Sequence, residues 1–178
     1  MGRRLRVPTP ALVVLCGPAG SGKSTFARKH FRETAIVSSD RCRAIISDSE
    51  SNIAVSPEAF ELFYHIIDLR LRHRRLTVAD STALRPQARR ALLQLARRHG
   101  VPAVIIIFDV SEARAYAHDT HRARKVGRPV IREQWERLQE ALRAVPQEGF
   151  DQVHILGEEE TGTTSVELIG GPAPDGVG

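Results

Sequence analysis

Residues 11–16, Ala-Leu-Val-Val-Leu-Cys, are an unbroken apolar run, and directly behind them stand Gly17, Pro18, Ala19, Gly20, Ser21, Gly22, Lys23, Ser24 and Thr25. An apolar run of this length ending in glycine is the pattern of a strand buried on both faces of a parallel sheet. Residues 23–31 then read as a helix opening straight off the loop, and residues 34–39, β-branched and small, as a second strand. Strand, glycine-rich loop, helix and strand make a βαβ unit, which restricts the chain to α/β architectures.

The alternation continues. Ser56-Pro57-Glu58 supplies an N-cap, a proline at the first helical position and an early acid, starting a helix to about residue 74 with Phe60, Phe63, Ile66 and Ile67 at helical spacing. Residues 76–80 read as a third strand, 86–99 as a helix closed by Gly100, and 101–109 as a fourth, strongly apolar strand. Helices follow over about 112–122 and 131–144, then a fifth strand at 152–156. Residues 1–10 read as an N-terminal extension, 11–158 as one domain with a lid at about 118–130, and 159–178, ending Gly/Pro-rich, as a flexible tail or linker.

A chain of 178 residues with 42% hydrophobic and 26% charged side chains has the composition of one globular domain. Two cysteines, Cys16 and Cys42, make neither a disulfide framework nor a zinc site with CxxC spacing, which fits a reducing cytoplasm. No apolar run approaches membrane-spanning length. The net charge of +5, carried mostly by arginine, favours a polyanionic partner and does not by itself decide one. Arg70, Arg72, Arg74 and Arg75, and Arg89, Arg90, Arg97 and Arg98, read mostly as solvated helix faces.

The GxxxxGK[ST] spacing from Gly17 to Ser24, between a strand and a helix, is a P-loop. Its glycines let successive backbone N–H groups turn inward, the helix dipole adds positive potential, and phosphate oxygens meet preorganised donors. The expected ligands are ATP and Mg²⁺: Lys23 near the β- and γ-phosphates, the Ser24 hydroxyl on the metal, Thr25 supporting the loop. Asp40 and Arg43 follow the second strand, where α/β sheets place ligands. Asp40 can accept the proton of an attacking hydroxyl, and Arg43, one helical turn on, can neutralise an acceptor phosphate. The same spacing also fits an N-cap at Ser39 or Asp40 and a solvated Arg43. Asp80, ending the third strand, suits a water-mediated contact to Mg²⁺ or a helix cap. The basic density of residues 121–128 suits a lid closing on ATP, or a solvated loop.

With these residues in place, the chain resembles the 5′-hydroxyl polynucleotide kinase domain of bacterial polynucleotide kinase-phosphatase end-healing proteins; such P-loops also fit AAA-type ATP-binding domains. The likeness runs from about residue 12 to 156 and rests on the P-loop with Lys-Ser-Thr-Phe-Ala, on Ile36-Val-Ser-Ser-Asp with Cys42-Arg43, and on residues 47–52. It continues through residues 76–80, Val130-Ile131-Arg132 and Glu148-Gly149-Phe150. The resemblance implies that Lys23 and Ser24 bind ATP and Mg²⁺, that Asp40 is the general base, that Arg43 binds the acceptor-strand phosphate, and that Arg122 and Arg124 are lid arginines on the ATP phosphates. Two positions depart from the family pattern: His118-Asp119 where an Arg-Asn pair is usual, and Ala83 where an Asn follows the strand-three Asp-x-Thr.

The expected fold is therefore an α/β P-loop NTPase with a five-stranded parallel sheet flanked by helices, adenylate kinase-like. The expected activity is transfer of the ATP γ-phosphate to 5′-OH ends of RNA or DNA, with a phosphatase or ligase partner acting in trans. A small-molecule kinase on the same scaffold and an ATP-binding regulatory module without transfer are the alternatives.

Overall fold

A computed structural model describes residues 2–121 and 125–171. A first strand, β1 (Arg4–Pro8), precedes the P-loop unit of β2 (Leu12–Cys16), α1 (Lys23–His30) and β3 (Ile36–Ser38). Helices α2 (Ser39–Ser47) and α3 (Ser56–Arg72) lead to β4 (Thr77–Asp80), α4 (Pro86–Arg98) and β5 (Ala103–Asp109). Helices α5 (Glu112–Thr120) and α6 (Arg128–Ala144), strand β6 (Gln152–Gly157), helix α7 (Glu158–Thr163) and strand β7 (Ser165–Ile169) complete the order.

The main sheet is five-stranded and parallel throughout, in the order β3-β4-β2-β5-β6. Its central strand β2 is buried along its whole length. Leu12, Val14 and Cys16 join Phe63, Ile67 and Leu92 on one face, while Val13 and Leu15 join Phe26, Phe108 and Leu5 on the other. Apolar side chains on both sides of the pleat are what an unbroken hydrophobic run requires. Because β3, β4 and β2 are neighbours running the same way, the segments that leave their carboxyl ends lie side by side. Those segments are the start of α2, residues 81–85 and the P-loop, so the topology alone assembles a site there.

The two ends of the chain depart from the expectation of an extension over 1–10 and a flexible tail over 159–178. Arg4–Pro8 pairs in parallel with Ser165–Ile169, Leu5 opposite Val166 and Val7 opposite Leu168. Leu5 and Val7 are buried against the same cluster as Phe26, whereas Arg4 and Arg6 point outward beside Glu167, each 3.8 Å from its carboxylate. The alternation of arginine and aliphatic side chains is thus a half-buried strand, and α7 carries the chain back to it. Residues 172–178 lie outside the described residues.

Smaller differences sit at element ends. The second sheet strand begins at Ile36, because residues 33–35 form a 3-10 turn, and Ser39 already belongs to α2. Helix α6 begins at Arg128 with Pro129 in its first turn, three residues before the expected start at residue 131. No helix among the described residues is long and apolar enough to cross a membrane.

Candidate active site

The P-loop is shaped by two left-handed glycines, Gly20 (φ 77°) and Gly22 (φ 91°), the second at the N-cap of α1 with no side chain capping the helix. The first-turn amides of α1 therefore face outward as anion donors. Gly17 is tight for a different reason: a Cβ there would stand 2.8 Å from Ser21 Oγ and 3.1 Å from the Phe108 Cβ. The loop is tied to its surroundings by Gly17 N–H donating to the Thr82 carbonyl at 3.0 Å and Ala19 N–H donating to Gln134 Oε1 at 2.8 Å. Lys23 is buried and its Nζ donates to Pro18 O at 2.7 Å and Ser21 Oγ at 3.2 Å, inside the loop it belongs to.

Ser24 Oγ donates to Asp80 Oδ2 at 2.7 Å. Burial pushes the Asp80 carboxyl above its ordinary value, against the opposing pull of the Lys23 ammonium and of the Ser24 hydrogen bond, while Asp40 adds to the rise. A hydroxyl backed by a carboxylate at a P-loop fits Mg²⁺, a hard cation that keeps waters and phosphate oxygens as its other ligands. Among the described residues no group of three or more His, Cys, Asp or Glu side chains forms an all-protein metal cage. The Asp80 carboxylate thus lies behind the Ser24 hydroxyl, and the N-caps of the neighbouring described helices α1 and α4 are Gly22 and Arg85.

At the carboxyl end of β3, Ser38 is the N-cap of α2, its Oγ accepting from Arg41 N–H at 3.2 Å. That frees Asp40 from capping duty in the first turn, where it ion-pairs with Arg43 one turn on. Arg43 is not a solvated charge: it is 9% exposed and its Nε donates to Ser56 Oγ at 3.0 Å. Lys23, Ser24, Asp40, Arg43 and Asp80 all line one cleft of about 1060 Å³, together with Arg28, Arg41, Arg85 and Arg137. The last four come from α1, α2, the N-cap position of α4 and α6, and no spacing in the sequence links them.

Arg122 and Arg124, the expected lid arginines, lie outside the described residues. Residues on either side of them contact the P-loop or each other. His118 Nδ1 lies 2.8 Å from the Gly20 carbonyl, and the buried Asp119 carboxylate accepts from Val126 and Gly127 N–H at 3.0–3.1 Å, joining the two ends of the loop. Arg128 stacks over the Tyr116 ring at 5.2 Å, adding a second link between α5 and α6. The His118-Asp119 pair that departs from the family pattern therefore ties α5 to the P-loop and to the start of α6.

One basic residue read as solvated is not. Arg89 is 1% exposed; its Nε and Nη2 grip both Glu148 oxygens at 2.7–3.1 Å, and its Nη1 donates to the carbonyls of Ala83 and Leu84. Its position on the buried stripe of α4, with Leu92, Leu93 and Ala96, was the available signal. Cys16, beside it, has its thiol pushed up to about 11 by burial and donates to the Ala83 carbonyl at 3.5 Å, which makes it an inert packing residue.

A family model described as an AAA domain, AAA_33, matches residues 12–145, from the P-loop strand to the end of α6. The chain belongs to this family. Its fold is that of P-loop kinase-like domains. A chain of the Pnkp1/Rnl/Hen1 RNA repair complex superposes with a TM-score of 0.66 at 19% identity, covering 76% of this chain and 46% of that one. The AvrRxo1-ORF1:-ORF2 complex with ATP gives 0.62 at 16%, covering 84% and 55%. A gluconokinase from Sinorhizobium meliloti 1021 gives 0.53 at 19%, covering 84% and 83%. The chain spans about half the length of the first two, and identities this low establish shared fold alone. No curated protein matches the sequence at a significant level.

Proposed function

We propose that the protein is an ATP-dependent kinase that transfers the γ-phosphoryl group to the 5′-hydroxyl end of RNA or DNA. The observation that carries the reading is the Asp40–Arg43 pair at the start of α2, which lines the same cleft as Lys23 and Ser24. A proton acceptor locked to a cation suits a hydroxyl that has a phosphate next to it. The arginines around the cleft, Arg28, Arg41, Arg85 and Arg137, add the positive field that a polyanionic donor and acceptor both need.

In this mechanism the acceptor hydroxyl oxygen forms its bond to the γ-phosphorus while the bond to the β–γ bridging oxygen breaks, leaving ADP. The hydroxyl proton passes to an Asp40 carboxylate oxygen. Arg43 holds the phosphate adjacent to that hydroxyl and keeps Asp40 in the orientation in which it receives the proton. Lys23 leaves Pro18 O and Ser21 Oγ for the phosphates, and the α1 amides complete the cradle. Ser24, with Asp80 behind it, would hold Mg²⁺, which would supply neutralisation of the phosphate charge.

The decisive assay is incubation with γ-labelled ATP, Mg²⁺ and a 5′-OH oligonucleotide, RNA and DNA in separate arms. Label at the 5′ end is the expected result; no end-labelling across pH and metal conditions removes the reading. The second reading, a kinase for a small hydroxylated metabolite, draws on the gluconokinase likeness, which covers 84% of this chain and 83% of that one. Transfer to sugars or sugar acids with none to oligonucleotides would favour it.

A further inference from the structure

Residues 81–85 leave the end of β4 and, by the strand order, lie between the P-loop that follows β2 and the Asp40 turn that follows β3. All five line the cleft. Within this segment Ala83 holds φ 47°, a left-handed backbone that a residue with a Cβ adopts only under constraint from its surroundings. The constraint is visible. On one side the Thr82 carbonyl takes the Gly17 N–H at 3.0 Å. On the other, Arg89 Nη1 donates to the Ala83 carbonyl at 3.0 Å and to the Leu84 carbonyl at 2.8 Å. The remaining face of the guanidinium is locked by Glu148, which follows the turn at the end of α6.

We infer that the buried Arg89–Glu148 pair is a positioning device for the acceptor: by holding the strained Ala83 turn it fixes the wall carrying Thr82 and Arg85 between the donor phosphates and Asp40. The inference rests on the phosphotransfer reading for what the wall faces, and on the hydrogen bonds above for the clamp itself. A fully buried guanidinium with bidentate carboxylate and two carbonyl acceptors is a rigid support. Lysine, with a point charge and no fork, cannot reproduce it.

The test compares wild type with R89K, E148Q, A83G and the R89K/A83G double variant, each confirmed folded at the assay temperature by circular dichroism. R89K and E148Q are expected to raise the KM for a 5′-OH oligonucleotide about tenfold or more, as misplacement of a substrate-positioning wall does. The dissociation constant for ATP should stay within about twofold, because the α1 amides and Lys23 are untouched. A83G in the R89K background should recover roughly threefold or more of the lost KM, since glycine takes the left-handed turn without the clamp. A purely structural staple gives a different result: lower thermal midpoints with acceptor KM unchanged, or acceptor and ATP constants shifting in parallel, and either overturns the inference. Hydrogen–deuterium exchange over residues 81–85 is read in the same variants. If the wild-type protein labels no 5′-OH end, the acceptor reading falls while exchange still decides the clamp: faster exchange there in R89K sustains it and unchanged exchange refutes it.

Discussion

Replacing Asp40 with Asn separates chemistry from binding. The substitution keeps shape and one acceptor oxygen for Arg43, but removes the carboxylate proposed to take the proton. Loss of a general base costs about 10²–10⁴ in rate, equivalent to about 3–5 kcal/mol at about 1.4 kcal/mol per decade. The structural cost is smaller and can be bounded. The Asp40 side chain is 31% exposed, and its ion pair with Arg43 lies within one helix. Such a pair contributes about 1 kcal/mol at most, and an acid in the first turn of a helix about 0.3–1 kcal/mol more. At about 2–4 °C per kcal/mol for a domain of this size, Tm should fall by less than about 8 °C. Single-turnover transfer of labelled phosphate to a 5′-OH oligonucleotide measures the first effect, calorimetry the second, and titration with a fluorescent ATP analogue checks that affinity for nucleotide holds within about twofold. A transfer rate within about threefold of wild type, or an ATP affinity that collapses with the rate, would refute the proton-acceptor role.

Asp80→Asn should act in opposite directions on stability and activity. Burial raises the folded-state pKa of Asp80 above its ordinary 3.8, so ionisation costs the folded state more than the unfolded one, and stability is lost as pH rises through that interval. Asparagine escapes this cost; the Tm advantage of the variant should be absent at low pH, grow above pH 3.8 and then level off, while transfer demands more Mg²⁺. Gly20→Ala would place a Cβ 2.5 Å from the Ala115 carbonyl on a backbone at φ 77°, forcing the P-loop away from α5. ATP affinity should drop at least about tenfold by titration. Leu5→Ala, at a site 1% exposed, should lower Tm by about 5–15 °C while leaving ATP affinity intact, and an unchanged Tm would mean that β1 is dispensable.

The central sheet and the P-loop were legible because their signals are local. A strand buried on both faces must be continuously apolar, and the loop glycines answer backbone demands within eight residues. Asp40 and Arg43 were legible as candidates but not as an ion pair, since their spacing also fitted an N-cap at Ser39 or Asp40, whereas the cap is Ser38, one residue before Ser39. Arg89 was misread for a stronger reason. Its carboxylate partner Glu148 is 59 residues away in sequence, and a cation is hidden from water only by what the fold brings to it. Strands β1 and β7 were missed because only Leu5 and Val7 of β1 are fully covered and β7 is mostly exposed, so neither has the apolar density of a sheet core.

The pairing of β1 with β7 also orders events during synthesis. Arg4–Pro8 leaves the ribosome before the P-loop, yet the strand it pairs with, Ser165–Ile169, arrives only after every strand of the main sheet has been made. The nascent chain can therefore assemble the nucleotide loop and its parallel sheet while Leu5 and Val7 still lack the cover of β7. Leu5 and Val7 gain that cover once Ser165–Ile169 has been made and pairs with Arg4–Pro8.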